Sequence, residues 1–237
     1  SGLHAINIAE YVMASILAWS RHFHVLFDYQ RRSQWPDEGQ QARFVPHELR
    51  GAVLGVVGYG SIGREVGRLA CALGMQVLAL KRHPDRHQDT GFSFTGDTEG
   101  CLPQAFYAPD QLVSMVSQCD YVVLAVPLNA ETRHMIGERE LRAMKPTAYL
   151  VNIARGAVVD EAALIRALQE GWIAGAGLDV FEQEPLPADS PLWRLNNVIL
   201  TPHTSGFSPH YDERAIEIFI ENLQRYLAGR PLVNVVD

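Results

Sequence analysis

Short runs of wholly apolar residues alternate along this chain with stretches whose apolar positions recur every three or four residues. Residues 52–57 (AVLGVV), 75–80 (MQVLAL), 121–126 (YVVLAV), 148–153 (AYLVNI), 174–180 and 198–200 are of the first kind. Their shortness and their lack of polar alternation predict strands buried on both faces. Helical spacing predicts a helix over residues 3–19, where Ile8, Val12, Ile16 and Trp19 share a face, and others over 62–73 and 160–169. A last helix is predicted over 208–228, with Ile216, Phe219, Ile220, Leu223 and Leu227 on one stripe. Strands separated by helices imply the α/β class, with a doubly wound, Rossmann-type parallel sheet. The polar stretch 30–41, which holds Trp35 and Pro36, reads as a surface connection. Residues 84–109, rich in Gly, Pro, Asp and Thr, read as a long irregular excursion.

Composition narrows the function classes. A formal charge of −7 with scattered Lys and Arg argues against a nucleic-acid-binding surface. Cys71, Cys101 and Cys119 show neither CxxC pairing nor metal-ligand spacing, so they read as packing residues or incidental thiols in a reducing, cytoplasmic setting. His22 and His24 form an HxH with no further ligand nearby in sequence, and no metal is expected. The first helix carries His4, Asn7, Glu10 and Ser15. It is too polar to span a bilayer and lacks the basic flank of a signal peptide. It is nevertheless apolar enough to predict packing on protein.

Candidate chemistry begins at Gly58-Tyr59-Gly60-Ser61-Ile62-Gly63, a GxGxxG between a predicted strand and a predicted helix. In that context Gly58 permits a tight turn, Gly60 lets backbone approach a pyrophosphate, and Gly63 lets helix and strand pack closely. The helix N-terminus offers free N–H groups and a positive dipole end to the phosphates. Roughly twenty residues on, where an acidic residue would bind the adenosine ribose, stand Lys81 and Arg82. A carboxylate would repel a 2′-phosphate, whereas these cations could pair with one, which favours NADP over NAD. The alternative is that both are solvated and backbone groups hold the ribose.

Three further polar features follow directly on predicted strands. Arg155 follows 151–154, Asp179 leads into Glu182 and Glu184, and His203 follows Leu200-Thr201-Pro202. In an open parallel sheet the ligand crevice lies outside the carboxyl ends of the strands. Chain order alone therefore brings an arginine, carboxylates and a histidine to one crevice.

The segments GVVGYGSIG, AVPLNAETRHMIG, MKPTAYLVNIARGAVVDEAAL, GAGLDVFEQEPLP and NVILTPHTSG resemble the D-isomer-specific 2-hydroxyacid dehydrogenase family over nearly the whole chain. The resemblance implies hydride transfer between a nicotinamide cofactor and a small 2-oxo/2-hydroxy acid. It implies Arg155 for the substrate, His203 for general acid/base work and Glu184 as the histidine's partner. It further implies Asp179 against the nicotinamide carboxamide, Val126, Pro127 and Thr132 lining the cofactor crevice, and Ile153, Ala154, Ser205 and Gly206 bordering it. The roles make chemical sense, because a guanidinium can hold both carboxylate and carbonyl of an oxo acid, and reduction of that carbonyl needs a proton.

The family pairs its cofactor domains into dimers, so a homodimer with the first helix at or near the interface is expected. The family also carries a substrate domain, built mostly from about a hundred residues before that helix. Residues 1–206 thus read as the dinucleotide-binding domain, and 207–237 as the C-terminal helix and tail of a largely absent substrate domain. Two functions follow as expectations: an oxidoreductase acting on a CH–OH group, or a dimeric dinucleotide-sensing module without significant turnover.

Overall fold

The computed structural model describes residues 2–88, 91–92 and 95–235. Ser1, Val236 and Asp237, at the ends of the two expected domains, lie outside the described residues, as do Asp89, Thr90, Ser93 and Phe94 of the excursion. The elements run α1 (Ala5–Ser20), α2 (Phe23–Arg31), α3 (Glu38–Gln41), β1 (Val53–Val57), α4 (Ser61–Ala72), β2 (Gln76–Leu80) and β3 (Ala105–Tyr107). They continue with α5 (Leu112–Val116), β4 (Tyr121–Leu124), α6 (Glu138–Ala143), β5 (Tyr149–Asn152), α7 (Glu161–Glu170), β6 (Gly175–Leu178), β7 (Val198–Leu200) and α8 (Tyr211–Leu227). The strands form one seven-stranded sheet in the order β3-β2-β1-β4-β5-β6-β7. Every neighbouring pair is parallel. The direction of building reverses between β1 and β4, so the crevice expected of a doubly wound sheet lies beyond their carboxyl ends.

Alternate residues of each strand enter two separate cores, which is why the strands read as unbroken apolar runs. Leu54, Val56, Val77, Val123, Tyr149 and Val151 meet Ile8, Val12 and Ile16 of α1 and Val66 and Ala70 of α4 on one face. On the other, Leu78, Val122, Leu124 and Leu150 meet Met115, Leu141, Leu164 and Ala167 of α5, α6 and α7. The apolar side of α1 is therefore covered by its own chain. Ser15 hydrogen-bonds the Tyr149 hydroxyl at 2.9 Å, and Trp19 stacks between Tyr149 and His24.

Several elements depart from the sequence expectation. The stretch 30–41, expected as a surface connection, holds the end of α2 and all of α3, helices whose residues are nowhere fully buried. The excursion ends in a strand, β3, which escapes recognition because an edge strand of three half-buried residues has no periodicity to read. Helix α8 begins at Tyr211, later than the pattern suggests, and its apolar stripe is exposed, with Phe219 at 66%. Among the described residues no helix is long and apolar enough to cross a membrane.

Candidate active site

The glycine loop leaves β1 and enters α4. Gly58 holds φ at +100°. A Cβ on Gly63 would stand 2.3 Å from the Gly58 carbonyl, so only glycine allows the helix this close to the strand. A Cβ on Gly60 would meet nothing within 4 Å. That open backbone faces a cavity of about 760 Å³ lined by Gly58, Gly60, Lys81, Arg82, Pro127 and Thr132, among others. The space a pyrophosphate needs is thus present beside a helix N-terminus.

Two side chains of the motif are turned into the protein. The Tyr59 ring is 1% exposed, packs on Phe106 and donates its hydroxyl to Asp97 at 2.9 Å. The Ser61 hydroxyl is buried and accepts from the Gly2 N–H. Val126 and Pro127 are held against the cavity by a self-closed turn, in which Thr132 donates to the Pro127 carbonyl at 2.7 Å and Asn129 accepts the Glu131 and Thr132 N–H groups. At the end of β2 the two cations differ. Lys81 donates to the Arg86 carbonyl. Arg82 pairs with Glu131 at 2.8 Å across the cavity mouth, so a 2′-phosphate would have to compete with a carboxylate the sequence reading overlooked. Glu131 lies inside the AVPLNAETRHMIG segment; its distance from Arg82 in sequence hid the pairing.

Beyond β5, β6 and β7 the remaining polar residues converge. Ile153 and Ala154 are buried and Arg155 is exposed, its guanidinium donating to the Ala154 carbonyl at 2.6 Å. A Cβ on Gly156 would overlap the backbone of Phe181 at 1.8 Å. This glycine lets the loop after β5 lie on the loop after β6, bringing Arg155 beside Glu184. The Glu184 carboxylate accepts from the Phe181 N–H at 3.0 Å and faces His203 Nδ1 at 2.7 Å. Burial opposes its charge, but the His203 and Phe181 hydrogen bonds and the positive charges of His203 and Arg155 outweigh it and hold the carboxyl below its ordinary range. Phe181, Leu186, Trp193 and Leu200 surround the pair with an apolar hollow of about 570 Å³.

Asp179 braces the loop that follows β7. It is 0% exposed, and its carboxylate accepts from the Thr201 hydroxyl at 2.6 Å and from the Thr204 and Ser205 N–H groups at 2.9 Å. Its carbonyl accepts the His203 N–H at 2.9 Å. His203 has a left-handed φ of 54°, a conformation costly for a side-chain-bearing residue and kept only where surroundings impose it. Asp179 imposes it. Ser205 is buried, and the Gly206 carbonyl accepts a hydrogen bond from His4 Nδ1 at 3.0 Å, tying this loop to the start of α1. A larger cavity, about 900 Å³, lies away from this edge between α2 and Asn196 and shares none of these residues. No cluster of three or more His, Cys, Asp or Glu that could hold a metal occurs among the described residues.

A parallel sheet wound in this order, with a glycine-lined helix N-terminus at its switch point and a histidine–carboxylate pair on the same edge, defines a dinucleotide-binding domain. Residues 13–205 match the D-isomer specific 2-hydroxyacid dehydrogenase, NAD binding domain, and the chain belongs to that family. It is 40% identical to a glyoxylate reductase of Korarchaeum cryptofilum over 231 residues, covering 97% of this chain and 65% of that one. The chain thus spans somewhat less than two-thirds of that relative's length. It also resembles a D-isomer specific 2-hydroxyacid dehydrogenase from Xanthobacter autotrophicus Py2 in complex with NADPH and MES, at 31% identity and a TM-score of 0.79, over 99% of this chain and 88% of that one. An NADPH-dependent glyoxylate/hydroxypyruvate reductase from Sinorhizobium meliloti gives 26% identity and a TM-score of 0.79, over 99% and 69%.

Proposed function

We propose that this chain is the cofactor-binding part of an oxidoreductase that reduces a small 2-oxo acid to the 2-hydroxy acid with NADPH, NADH being the weaker alternative. The observation that carries the reading is the 2.7 Å contact between His203 and Glu184 on the sheet edge that also bears the glycine cradle and Arg155. The bound nicotinamide would supply the hydride. The chain's own residues do the rest. Arg155 holds the oxo acid's carboxylate and polarises its carbonyl. His203, fixed through Nδ1 by Glu184, gives a proton from Nε2 to the carbonyl oxygen as the alcohol forms. Asp179, whose carbonyl accepts the His203 N–H, would also meet the nicotinamide carboxamide. Lys81 and Arg82, with no acidic residue at the end of β2, favour the 2′-phosphate, and the similar structures hold NADPH in one case and NADP in the other.

The exposed stripe of α8 supports a division in which residues 207–237 serve a substrate domain. We also infer a homodimer in a cytoplasmic setting. Its surface would draw on exposed Phe23, Phe27 and Trp35 (90% exposed) rather than on the inner face of α1, which is already covered. The test is NADPH oxidation by the full-length protein with glyoxylate, hydroxypyruvate and pyruvate. Turnover of at least one is expected. NADPH binding without turnover of any would favour a sensing module instead.

A further inference from the structure

Helix α1 buries one face in the core through Ile8, Val12 and Ile16. Its polar residues His4, Asn7 and Tyr11 recur at the spacing of a single helix face, and all three reach the loop after β7. His4 Nδ1 donates to the Gly206 carbonyl at 3.0 Å. Asn7 donates from Nδ2 to the carbonyls of Ser205 at 3.1 Å and Phe207 at 3.3 Å. The Tyr11 hydroxyl meets the Thr201 hydroxyl at 2.6 Å. At the amino end of the same helix the Gly2 N–H donates to the Ser61 hydroxyl of the glycine motif at 3.1 Å. One helix thus joins the phosphate-binding turn to the loop that carries His203.

The direction of the Tyr11 contact follows from what lies beyond it. The Thr201 hydroxyl has one proton and gives it to the Asp179 carboxylate at 2.6 Å, so Tyr11 is the donor. Burial pushes the Tyr11 phenol up to about 12, the Asp179 charge adding to this against the opposing Thr201 hydrogen bond, and the phenol stays a donor at neutral pH. Asp179 then accepts the Thr204 and Ser205 N–H groups, and its carbonyl accepts that of His203. Hydrogen bonds aligned in one sense polarise and strengthen one another, and here they end on the turn that keeps His203 in its left-handed conformation. We propose that Tyr11 is a positioning residue for the proton donor, holding the His203 turn through Thr201 and Asp179, a role that rests on the reduction proposed above and extends it to a helix that reading uses only as cover.

The test compares Tyr11→Phe with Ser15→Ala in the full-length protein by hydrogen exchange, NADPH titration and steady-state turnover of glyoxylate. Ser15 lies on the same helix, but its hydroxyl faces Tyr149 in the core, so its loss reports helix stability alone. Tyr11→Phe keeps the ring and removes the donor. Exchange of the His203, Thr204 and Ser205 amides should rise about fivefold to tenfold, the scale of one lost hydrogen bond. kcat should fall about tenfold at unchanged NADPH affinity, as for a misplaced acid. Ser15→Ala should leave both at their wild-type values. Should Tyr11→Phe not fold, Thr201→Val breaks the same relay one step on and should give the same pattern, while Thr201→Ser keeps the hydroxyl and should restore the protection of the three amides. Unchanged exchange at 203–205 in Tyr11→Phe, a rise without loss of kcat, or an equal fall of kcat in Ser15→Ala each overturns the proposal. A wild type that exchanges as expected but turns over no oxo acid overturns the proposed reduction instead, and the positioning role with it.

Discussion

Lys81 and Arg82 stand at the end of β2, where a carboxylate would exclude a 2′-phosphate, but Arg82 meets Glu131 across the cavity mouth. Both partners are largely exposed, so the pair itself is worth little, on the order of 0.2–1 kcal/mol. Its effect is competitive: Glu131 must release Arg82 before a phosphate can take it. Glu131→Gln should therefore tighten NADPH by about twofold to fivefold and leave NADH unchanged. Lys81→Asp/Arg82→Ala should reverse the preference. Fluorescence titration checks both, and equal wild-type affinities for the two cofactors would contradict the assignment. The histidine pair makes a second prediction. Glu184 is held in its charged form against the opposing effect of burial by hydrogen bonds from His203 and the Phe181 N–H and by the neighbouring charges of His203 and Arg155. A carboxyl held below its ordinary range contributes stability that is present above that range and is lost as pH falls through it. Glu184→Gln should therefore lower the melting temperature near neutral pH and make it fall less steeply in acid than that of the wild type. Identical acid dependence in the two proteins would mean the pair contributes nothing to folding.

At the scale of elements, what the sequence disclosed follows from burial. β1, β2, β4 and β5 are central strands covered on both faces, and each stood out as an apolar run. The strand–turn–helix of the glycine motif was equally plain, as were the polar residues after β5, β6 and β7. Elements that bury little were hidden. β3 is a three-residue edge, and α2 and α3 present no fully buried side chain. Long-range pairings were hidden for another reason: Arg64 with the excursion, Arg82 with Glu131 and Asp179 with the 201–205 loop join residues that are neighbours only once the sheet has formed. The chemistry of Asp179 shows the consequence. Its place at a strand end is plain from the chain, but the hydrogen bonds by which its carboxylate braces Thr201, Thr204 and Ser205 exist only once β6 and β7 are paired.

For the whole molecule, two surfaces remain uncovered, the aromatic residues around α2 and the stripe of α8. Exposed apolar area of this kind marks interaction sites. Light scattering at micromolar concentration should give a dimeric mass, and a Trp35→Ala/Phe27→Ser variant should shift it toward the monomer; a monomeric wild type would contradict the inferred assembly. In the proposed reaction the sheet edge built from the ends of β1, β5, β6 and β7 reduces a small 2-oxo acid with His203 as proton donor. The rate of glyoxylate-dependent NADPH oxidation by the full-length protein and its His203→Ala variant, with NADPH affinity measured in parallel, tests this. Turnover is expected in the wild type and a loss on the order of a hundredfold or more in the variant, at nearly unchanged cofactor affinity. Near-full turnover by His203→Ala would contradict it.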